Sequence, residues 1–381
     1  MRNSLRSSVK LGSIFGVPIG LNYSWFLTFG FVILILAVRV YPDIFPDSSA
    51  WLYWSMAIIS GVLFFASILT HEMAHSLIAK GYGIPVKGIT LFIFGGVSQI
   101  TKEATRPLAE FIMAFAGPAT SVLLAGVFGL LWWLTGAGEG EPLAVVLEWL
   151  WLMNLFLGAF NLAPGFPMDG GRILRSALWG LTGNYRQSTR WASRIGQLMA
   201  YTLMAVGFAG IVRLIPWMDA VGSLWLIVLG MFLDGAARQS WRQLRALEFL
   251  KTFRARDAMT TDFPTVEASA SVAEVLAANP MALRAGCVFV VEDERVVGFI
   301  QADVLRSLSR AGWQTTPAGQ LMTPSAQVRV VGPDEDAASI LQTMEAEELS
   351  GLPVVEDGRL VGLVSRENLA RLLVGHPELT T

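Results

Sequence analysis

Cysteine and histidine are scarce in this chain. Its 381 residues contain one cysteine, Cys287, and three histidines. A lone cysteine excludes a disulfide within the chain. Two of the three histidines, His71 and His75, nevertheless lie only four residues apart, and this clustering needs an explanation.

Charge is also scarce. Only 15% of the residues are charged and 53% are hydrophobic, and the 28 basic and 30 acidic residues leave a formal net charge of -2. A nearly neutral chain lacks the basic field that attracts nucleic acid, so no nucleic-acid partner is expected. The apolar fraction is too high for an ordinary soluble protein and predicts a membrane protein that contacts the lipid bilayer.

Long uncharged runs support this prediction. A helix needs roughly 18 or more apolar residues to cross the hydrocarbon core of a bilayer. The run 220–233 is shorter, but the apolar residues 214–218 before it can lengthen the span. The other runs reach the required length; they are 21–38, 51–70, 111–138, 149–168 and 195–212.

Basic residues predict the orientation of these spans, because positively charged flanks stay in the cytoplasm. The N-terminal segment carries Arg2, Arg6 and Lys10, whereas the loop after the first run contains two acidic residues and no basic one. Loops with basic residues and acidic loops continue to alternate along the chain, up to the basic segment that follows the sixth run. We therefore expect the N-terminus and the whole C-terminal part to lie in the cytoplasm.

The histidine pair belongs to the segment "HEMAH", which has the form H-E-x-x-H. Residues four apart share one face of a helix, so His71 and His75 can bind one metal ion while Glu72 acts as a base beside it. The alternative is a pair of core histidines that bond neighbouring backbone. Unpaired ionisable groups are costly inside a membrane, which favours the metal site.

A catalytic zinc ion usually has three protein ligands, so one ligand is still needed. The third histidine, His376, lies near the C-terminus, and Cys287 lies in the C-terminal part. Asp169, at the end of the fourth run, is the acid at the same side of the membrane as His71. Asp169 followed by Gly is also a common turn pair or helix cap, and both roles can coexist.

Together these residues resemble the site-2 protease family of intramembrane zinc metalloproteases. The likeness includes "HEMAH", "FAGPATS" with Gly117 and Pro118, and "FNLAPGFPMDGGR". It implies His71, His75 and Asp169 as zinc ligands, with Glu72 as the catalytic acid and base. It also implies a membrane-anchored protein substrate with a transmembrane segment. Independently of the resemblance, the second and fourth runs both lead toward the cytoplasm, and we therefore expect His71 and Asp169 to lie toward the cytoplasmic side of the membrane.

The segment 87–101, "KGITLFIFGGVSQIT", is predicted to form a β-hairpin at the membrane. It is rich in β-branched and aromatic residues, and its Gly-Gly pair would cost a helix roughly 2 kcal/mol. An exposed strand here can pair with an unwound substrate, with Gly95 and Gly96 allowing close approach. A hairpin that only packs against the core is the alternative. Asn161, on the fourth run, is a further candidate for substrate binding. The alternative for Asn161 and for Asn154 is a hydrogen bond to a neighbouring helix, and both roles stay open.

The C-terminal part repeats itself. The segment that begins "MTTDFPTVEASASVAEVL" corresponds to the one that begins "MTPSAQVRVVGPDEDAASIL", so that Met259 matches Met322 and Gly298 matches Gly362. Two such copies predict a pair that buries a shared sheet face. The repeats resemble a tandem of CBS domains, and several site-2 proteases carry such a pair behind the membrane part.

The CBS likeness implies an adenine nucleotide between the copies, with an Asp near the start of the last helix of a copy holding the ribose. Asp303 has this position in the first copy, but Glu367 replaces it in the second and Gln301 stands where a small hydroxyl residue is common. A dimerising or rigid module without a ligand is therefore an equal alternative, and a homodimer through the CBS domains stays open.

The sequence as a whole predicts an α-helical multi-pass membrane protein of about six transmembrane helices with a small membrane-associated β-hairpin, followed by an α/β CBS tandem. Its domains are a transmembrane zinc metalloprotease over 1–237, a basic linker helix over 238–252 and CBS domains over 253–314 and 315–381. The predicted function is intramembrane cleavage of membrane-anchored proteins. The alternative is a CBS-regulated metal or ion transporter with an intramembrane His/Asp site, which would not need Glu72 beside His71.

Overall fold

The computed structural model has two compact units, Met1–Trp241 and Arg242–Thr381. The residues that it describes are 8–93, 95–100, 104–136, 140–261, 265–278, 287–292, 295–301, 304–305, 316–324, 329–347, 349–357 and 359–374.

The first unit is mainly helical. Among its described residues, six helices are long and apolar enough to cross a membrane, which confirms the predicted helical membrane fold. The first of them combines α1, a π-helical turn at Leu36–Val40 and α2. The helices that begin in this unit are α1 (Tyr23–Ile35), α2 (Tyr41–Ile44), α3 (Ala50–Gly81), α4 (Pro107–Leu134), α5 (Pro142–Asn161), α6 (Asp169–Thr182), α7 (Tyr185–Ile211) and α8 (Ala220–Leu250), the last of which extends beyond Trp241.

Sequence features explain where several helices begin. The Asn22 side chain accepts a hydrogen bond from the Ser24 amide, 3.0 Å away, and so caps α1. Proline is the first residue of α4 and of α5, where its missing N–H costs no helical hydrogen bond. Each of these signals can be read from the sequence.

The predicted fourth span, 149–168, was wrong in its extent. Helix α5 begins earlier, at Pro142, and ends at Asn161. Two prolines follow at positions 164 and 167, and neither can continue a helix without losing backbone hydrogen bonds. Asp169 consequently does not lie at the exit of the fourth span, because it is the first residue of the separate helix α6.

A four-stranded sheet accompanies these helices. The predicted hairpin is confirmed as two antiparallel strands, and β2 pairs with its first strand in a parallel register. The strand order is β1-β2-β3-β4, formed by β1 (Ser8–Ile14), β2 (Val17–Asn22), β3 (Val86–Phe92) and β4 (Gly95–Ile100).

Strands β1 and β2 were missed because the run 21–38 was interpreted as a span from its first residue. Val17, Ile19 and Leu21 alternate with more exposed residues and are buried at 0%, 4% and 7% exposure, the pattern of a half-buried strand. This alternation in the sequence was the feature from which strand β2 could have been predicted.

Helix α3 is central to the first unit. Its residues Phe65, Ile68 and Met73 form a core cluster with the buried faces of β2 and β3. Farther toward its N-terminus, Met56 and Ala57 pack with residues of α1, the π-helical turn, α2 and α5. The "HEMAH" segment lies within this helix, so packing on several sides fixes its position.

The second unit contains the two repeats. Its described elements form a four-stranded sheet in the order β5-β6-β7-β8 and a second pair, β9 and β10. They are α9 (Ala255–Ala258), β5 (Thr265–Glu267), α10 (Val272–Ala278), β6 (Cys287–Glu292), β7 (Arg295–Gln301), α11 (Ala318–Leu321), β8 (Thr323–Pro324), α12 (Ala337–Ala346), β9 (Gly351–Glu356), β10 (Arg359–Ser365) and α13 (Arg366–Val374).

The beginning of each repeat packs on the other repeat. Met322 lies against Gly298 of the first copy, and Met259 lies against Gly362 of the second. The backbone shows the same packing of each copy on the other. Thr260 forms a β-bridge with Leu363, and β8 of the second copy pairs with β7 of the first. The two copies therefore share their sheets.

The predicted linker 238–252 is helical through Leu250, but it is not a separate element. Helix α8 runs without a break from Ala220 to Leu250. The residues predicted as the sixth span and those predicted as a linker are thus parts of one helix.

Candidate active site

The two histidines of "HEMAH" lie on one face of α3. His71 and His75 are 3% and 4% exposed, and their Nε2 atoms are 3.2 Å apart. The spacing of four residues produces this convergence, because it is close to one helical turn.

Hydrogen bonds fix the orientation of both imidazole rings. His75 Nδ1 lies 2.6 Å from the Met113 carbonyl oxygen, which can only accept, so this nitrogen donates. His71 Nδ1 lies 2.9 Å from the Ser121 hydroxyl oxygen. With the proton on Nδ1, a neutral imidazole presents the lone pair of Nε2 to the space between the rings, as a metal ligand requires.

Asp169 completes the group from another helix. Its Oδ2 atom lies 3.1 Å from the Nε2 atoms of both His71 and His75. These three residues are the group with metal-ligating potential among the described residues. In the structure, α6 begins at Asp169, which brings the carboxylate to α3 across 94 residues of chain.

The three donor atoms fit a zinc ion. A tetrahedral ion with ligands at roughly 2.0–2.1 Å holds those ligands about 3.3 Å from one another. The observed separations of 3.1–3.2 Å match this spacing. Two imidazoles and one carboxylate are also a donor set found at catalytic zinc, where the fourth position stays open.

Gly117 keeps this space clear. A methyl group on its Cα would overlap the Nε2 atoms of both histidines. Helix α4 can therefore approach α3 closely at this point without covering the ligand atoms. The resemblance pointed to Gly117, but only the structure explains why a side chain does not fit there.

Glu72 points to the sheet. Its Oε2 atom accepts hydrogen bonds from the Ser98 amide at 3.1 Å and from the Ser98 hydroxyl at 2.8 Å. Gly96 lies beside it, where a methyl group would overlap the Glu72 side chain. Glu72 is thus outside the triangle of donor atoms and is held by β4. Sequence reasoning missed Ser98, since nothing in the local pattern links it to Glu72.

The other predicted residues have different surroundings. Gly95 begins β4 with a φ of +127°, a conformation that favours glycine. The Asn161 side-chain amide donates to the Leu157 carbonyl within α5, at 3.0 Å. Asn154 does the same to Leu150 and is fully buried, and its Oδ1 has no partner among the described residues. Asp303 lies outside the described residues.

Two protein families match parts of the chain. Residues 60–144 and 137–206 match Peptidase family M50. Residues 255–310 and 318–375 match the CBS domain. The M50 segments contain His71, Glu72, His75 and Asp169.

Relatives align over nearly the whole chain. A Synechocystis sp. protein with zinc metalloprotease in its name is 33% identical over 376 residues, covering 97% of this chain and 96% of its own length. A zinc metalloprotease of Methanocaldococcus jannaschii is 30% identical over 367 residues, covering 96% of both chains. Among solved structures, a site-2 protease of Methanocaldococcus jannaschii is 31% identical, covers 61% of this chain and 95% of that chain, and has a TM-score of 0.42.

Proposed function

The chain belongs to peptidase family M50, the site-2 proteases, and carries two CBS domains, and from this premise we propose that it is an intramembrane zinc endopeptidase. It would cleave peptide bonds in or near the transmembrane segments of membrane-anchored proteins. Family membership makes the chain a zinc metalloprotease and a multi-pass membrane protein. The position of cleavage and the class of substrate are the proposed parts.

The convergence of His71, His75 and Asp169 carries this proposal. The three donors come from two helices and are buried or half-buried, with mutual separations suited to zinc. Glu72 is adjacent in sequence to His71 but bonds Ser98 instead of joining the three donors. A transport site has no need for such an acid, whereas hydrolysis requires a base beside the metal.

The roles of the residues follow from this arrangement. His71, His75 and Asp169 would hold a zinc ion, which would act as a Lewis acid: it would lower the pKa of a bound water toward about 7 and polarise the peptide carbonyl. Glu72 accepts the proton of the attacking water and then donates it to the leaving nitrogen of the peptide bond. Met113 and Ser121 keep the imidazoles in the orientation that the ligand role requires.

A transmembrane substrate presents an additional requirement. Its scissile carbonyl is bonded within its own helix, so the helix must unwind locally and find other backbone partners. Strand β4 lies at one edge of the described sheet and pairs with β3 on its other side. We propose that the substrate adds to this edge, and that Gly95 and Gly96 permit the close approach. Asn161 remains a candidate substrate contact.

The orientation is proposed from the basic residues. The N-terminus and the CBS domains lie in the cytoplasm, because the loops with an excess of Lys and Arg alternate with acidic loops along the chain. The active site then lies toward the cytoplasmic side of the membrane.

Regulation by an adenine nucleotide at the CBS pair is the remaining part of the proposal. CBS domains often bind nucleotides, and Asp303 corresponds to a ribose-binding position. A homodimer through these domains would also suit the family.

Replacing Glu72 by Gln tests the proposed function. We expect Glu72→Gln to abolish peptide cleavage while zinc stays bound, because the carboxylate is a base and not a ligand. The measurements are metal content of the purified protein and cleavage of an internally quenched peptide with one Leu-rich transmembrane segment. Comparative proteomics of membrane fragments from cells with the native and the Glu72→Gln protein would identify the natural substrate.

Two outcomes would contradict these assignments. Loss of most of the zinc from Glu72→Gln would mean that Glu72 coordinates the metal. Undiminished cleavage by the same variant would mean that it is not the base.

A further inference from the structure

We propose that Ser98 is the positioning residue for Glu72, so that the edge strand β4 holds the catalytic base as well as the substrate. The proposal rests on the proposed function, since it assigns to Glu72 the role of general base. It adds a residue that the "HEMAH" pattern does not contain.

Ser98 contacts Glu72 in three ways. The Ser98 amide donates to Glu72 Oε2 at 3.1 Å, and the Ser98 hydroxyl lies 2.8 Å from the same atom. The hydroxyl is also 3.0 Å from the Glu72 backbone carbonyl oxygen. A backbone donor and a side-chain donor therefore converge on one carboxylate oxygen from a strand 26 residues away in sequence.

Gly96 makes this approach possible. Residues two apart on a strand share a face of the sheet, so Gly96 and Ser98 present the same side of β4 to α3. A methyl group at Gly96 would overlap Glu72, and with glycine there the side chain of Glu72 lies directly over the strand. Ser76, one turn farther along α3, lies 3.2 Å from the Ser98 hydroxyl and extends the contact between helix and strand.

These hydrogen bonds have a direct consequence for the base. A glutamate side chain has several rotatable bonds and loses rotamer freedom when it is fixed. Hydrogen bonds to one carboxylate oxygen fix its rotamer and leave Oε1 without a partner among the described residues. The oxygen that accepts the proton is then held in place before the substrate binds.

Sharing one strand also aligns the base with the substrate. Because β4 is an edge of the sheet that the described residues form, a peptide added to it would be placed relative to the same backbone that holds Glu72. The position of the base relative to the scissile bond would then be kept even where the membrane helices shift.

Three variants in the full chain test the proposal. Ser98→Ala removes the hydroxyl but keeps the amide, Ser98→Thr keeps both, and Gln99→Ala removes a side chain that bonds Thr90 within the same hairpin. Loss of a hydrogen bond to a charged group is expected to lower kcat roughly tenfold in Ser98→Ala, with KM and zinc content unchanged. Ser98→Thr should restore most of kcat, and Gln99→Ala should resemble the native protein. The internally quenched transmembrane peptide is the substrate.

Hydrogen exchange provides a readout that does not depend on turnover. The Ser98 amide should exchange faster in Glu72→Ala than in the native protein, because its acceptor is gone, whereas residues of β6 should not change.

Several outcomes would overturn the proposal. These are an unchanged kcat in Ser98→Ala, a fall in kcat together with zinc loss that Ser98→Thr does not reverse, or an unchanged exchange rate at Ser98. If the native protein did not cleave, or Glu72→Gln cleaved normally, the proposed function would fail instead, and the exchange experiment would still report on the contact.

Discussion

The proposed zinc site depends on a few atoms whose positions are set by different parts of the chain. His71 and His75 belong to one helix, whereas Asp169 begins another, and the Nε2 and Oδ2 atoms of these residues meet within 3.2 Å. Two imidazoles alone hold an ion poorly at a catalytic site that uses three protein ligands. The contribution of each residue can therefore be tested by substitution.

Replacing Asp169 by Ala should lower zinc content and activity together. The variant loses the ligand atom that lies 3.1 Å from both histidine nitrogens. Metal analysis and the cleavage assay, performed on the same preparation, measure the two effects. Cys287→Ser serves as the control and should leave both unchanged, because Cys287 belongs to the repeats. Full activity of Asp169→Ala would mean that another residue supplies the third ligand; the alternative role as a helix cap does not apply, because Met168 is the N-cap of α6.

Gly117 and Gly126 allow a matched comparison on one helix. A methyl group at Gly117 overlaps the Nε2 atoms of His71 and His75, whereas a methyl group at Gly126 meets no atom within 4 Å. We expect Gly117→Ala to lose zinc and cleavage, and Gly126→Ala to retain both. Zinc content measures the effect directly. Equal zinc in the two variants would show that α4 can move away from the histidines at little cost.

At the scale of elements, a buried ion pair links α4 to α6, the helix that begins with Asp169. Glu110 and Arg175 are 1% and 8% exposed, and Arg175 Nε donates to Glu110 Oε1 at 2.7 Å. The guanidinium also lies over the rings of Phe166, at 5.0 Å, and Tyr185, at 4.7 Å. We infer that this pair helps to set the position of α6.

Replacing Arg175 by Met should therefore destabilise the first unit. The change breaks the buried pair by removing its cation, which typically costs about 3–5 kcal/mol. Arg238→Met is the matched control, because Arg238 pairs with Asp234 at an exposed site and such pairs contribute about 1 kcal/mol or less. Unfolding of the two variants in detergent measures the difference.

A double variant separates the charge from the packing. Glu110→Leu combined with Arg175→Met removes both charges, and we expect it to be more stable than Arg175→Met alone. Equal stability of Arg175→Met and Arg238→Met would mean that the buried pair does not hold α6.

At the scale of the whole molecule, the proposed regulation requires that nucleotide binding alters cleavage. A ligand shifts activity only by binding two arrangements of the protein with different affinity, so binding alone does not establish regulation. Helix α8 belongs to both units, since it runs from Ala220 to Leu250 without a break.

Titration of the full chain with ATP, ADP and AMP tests this regulation. We expect at least one of them to bind and to change the cleavage rate, and Asp303→Ala to abolish both effects. Glu367→Ala is the control at the matching position of the second repeat, where the side chain pairs with Arg371 at 3.2 Å. Absence of binding heat for all three nucleotides, or equal binding by Asp303→Ala, would leave the repeats as a scaffold.

The sequence by itself determined much of this protein. The uncharged runs predicted the membrane helices, and the repeat beginning at Met259 and Met322 predicted the paired second unit. The "HEMAH" segment indicated His71, His75 and Glu72 through a helical spacing alone. These features are local: hydrophobic length, internal repetition and helical periodicity can all be read along the chain.

Other features were decided only by the tertiary structure. The contacts of Ser98 with Glu72, of Gly117 with both imidazoles and of Glu110 with Arg175 join residues 26 to 65 positions apart. The packing of Met322 on Gly298 and of Met259 on Gly362 is likewise not predicted by the sequence pattern of either repeat alone. Such contacts depend on how packed helices and strands approach each other, which is set by the shape of the entire core and not by the local pattern of residues.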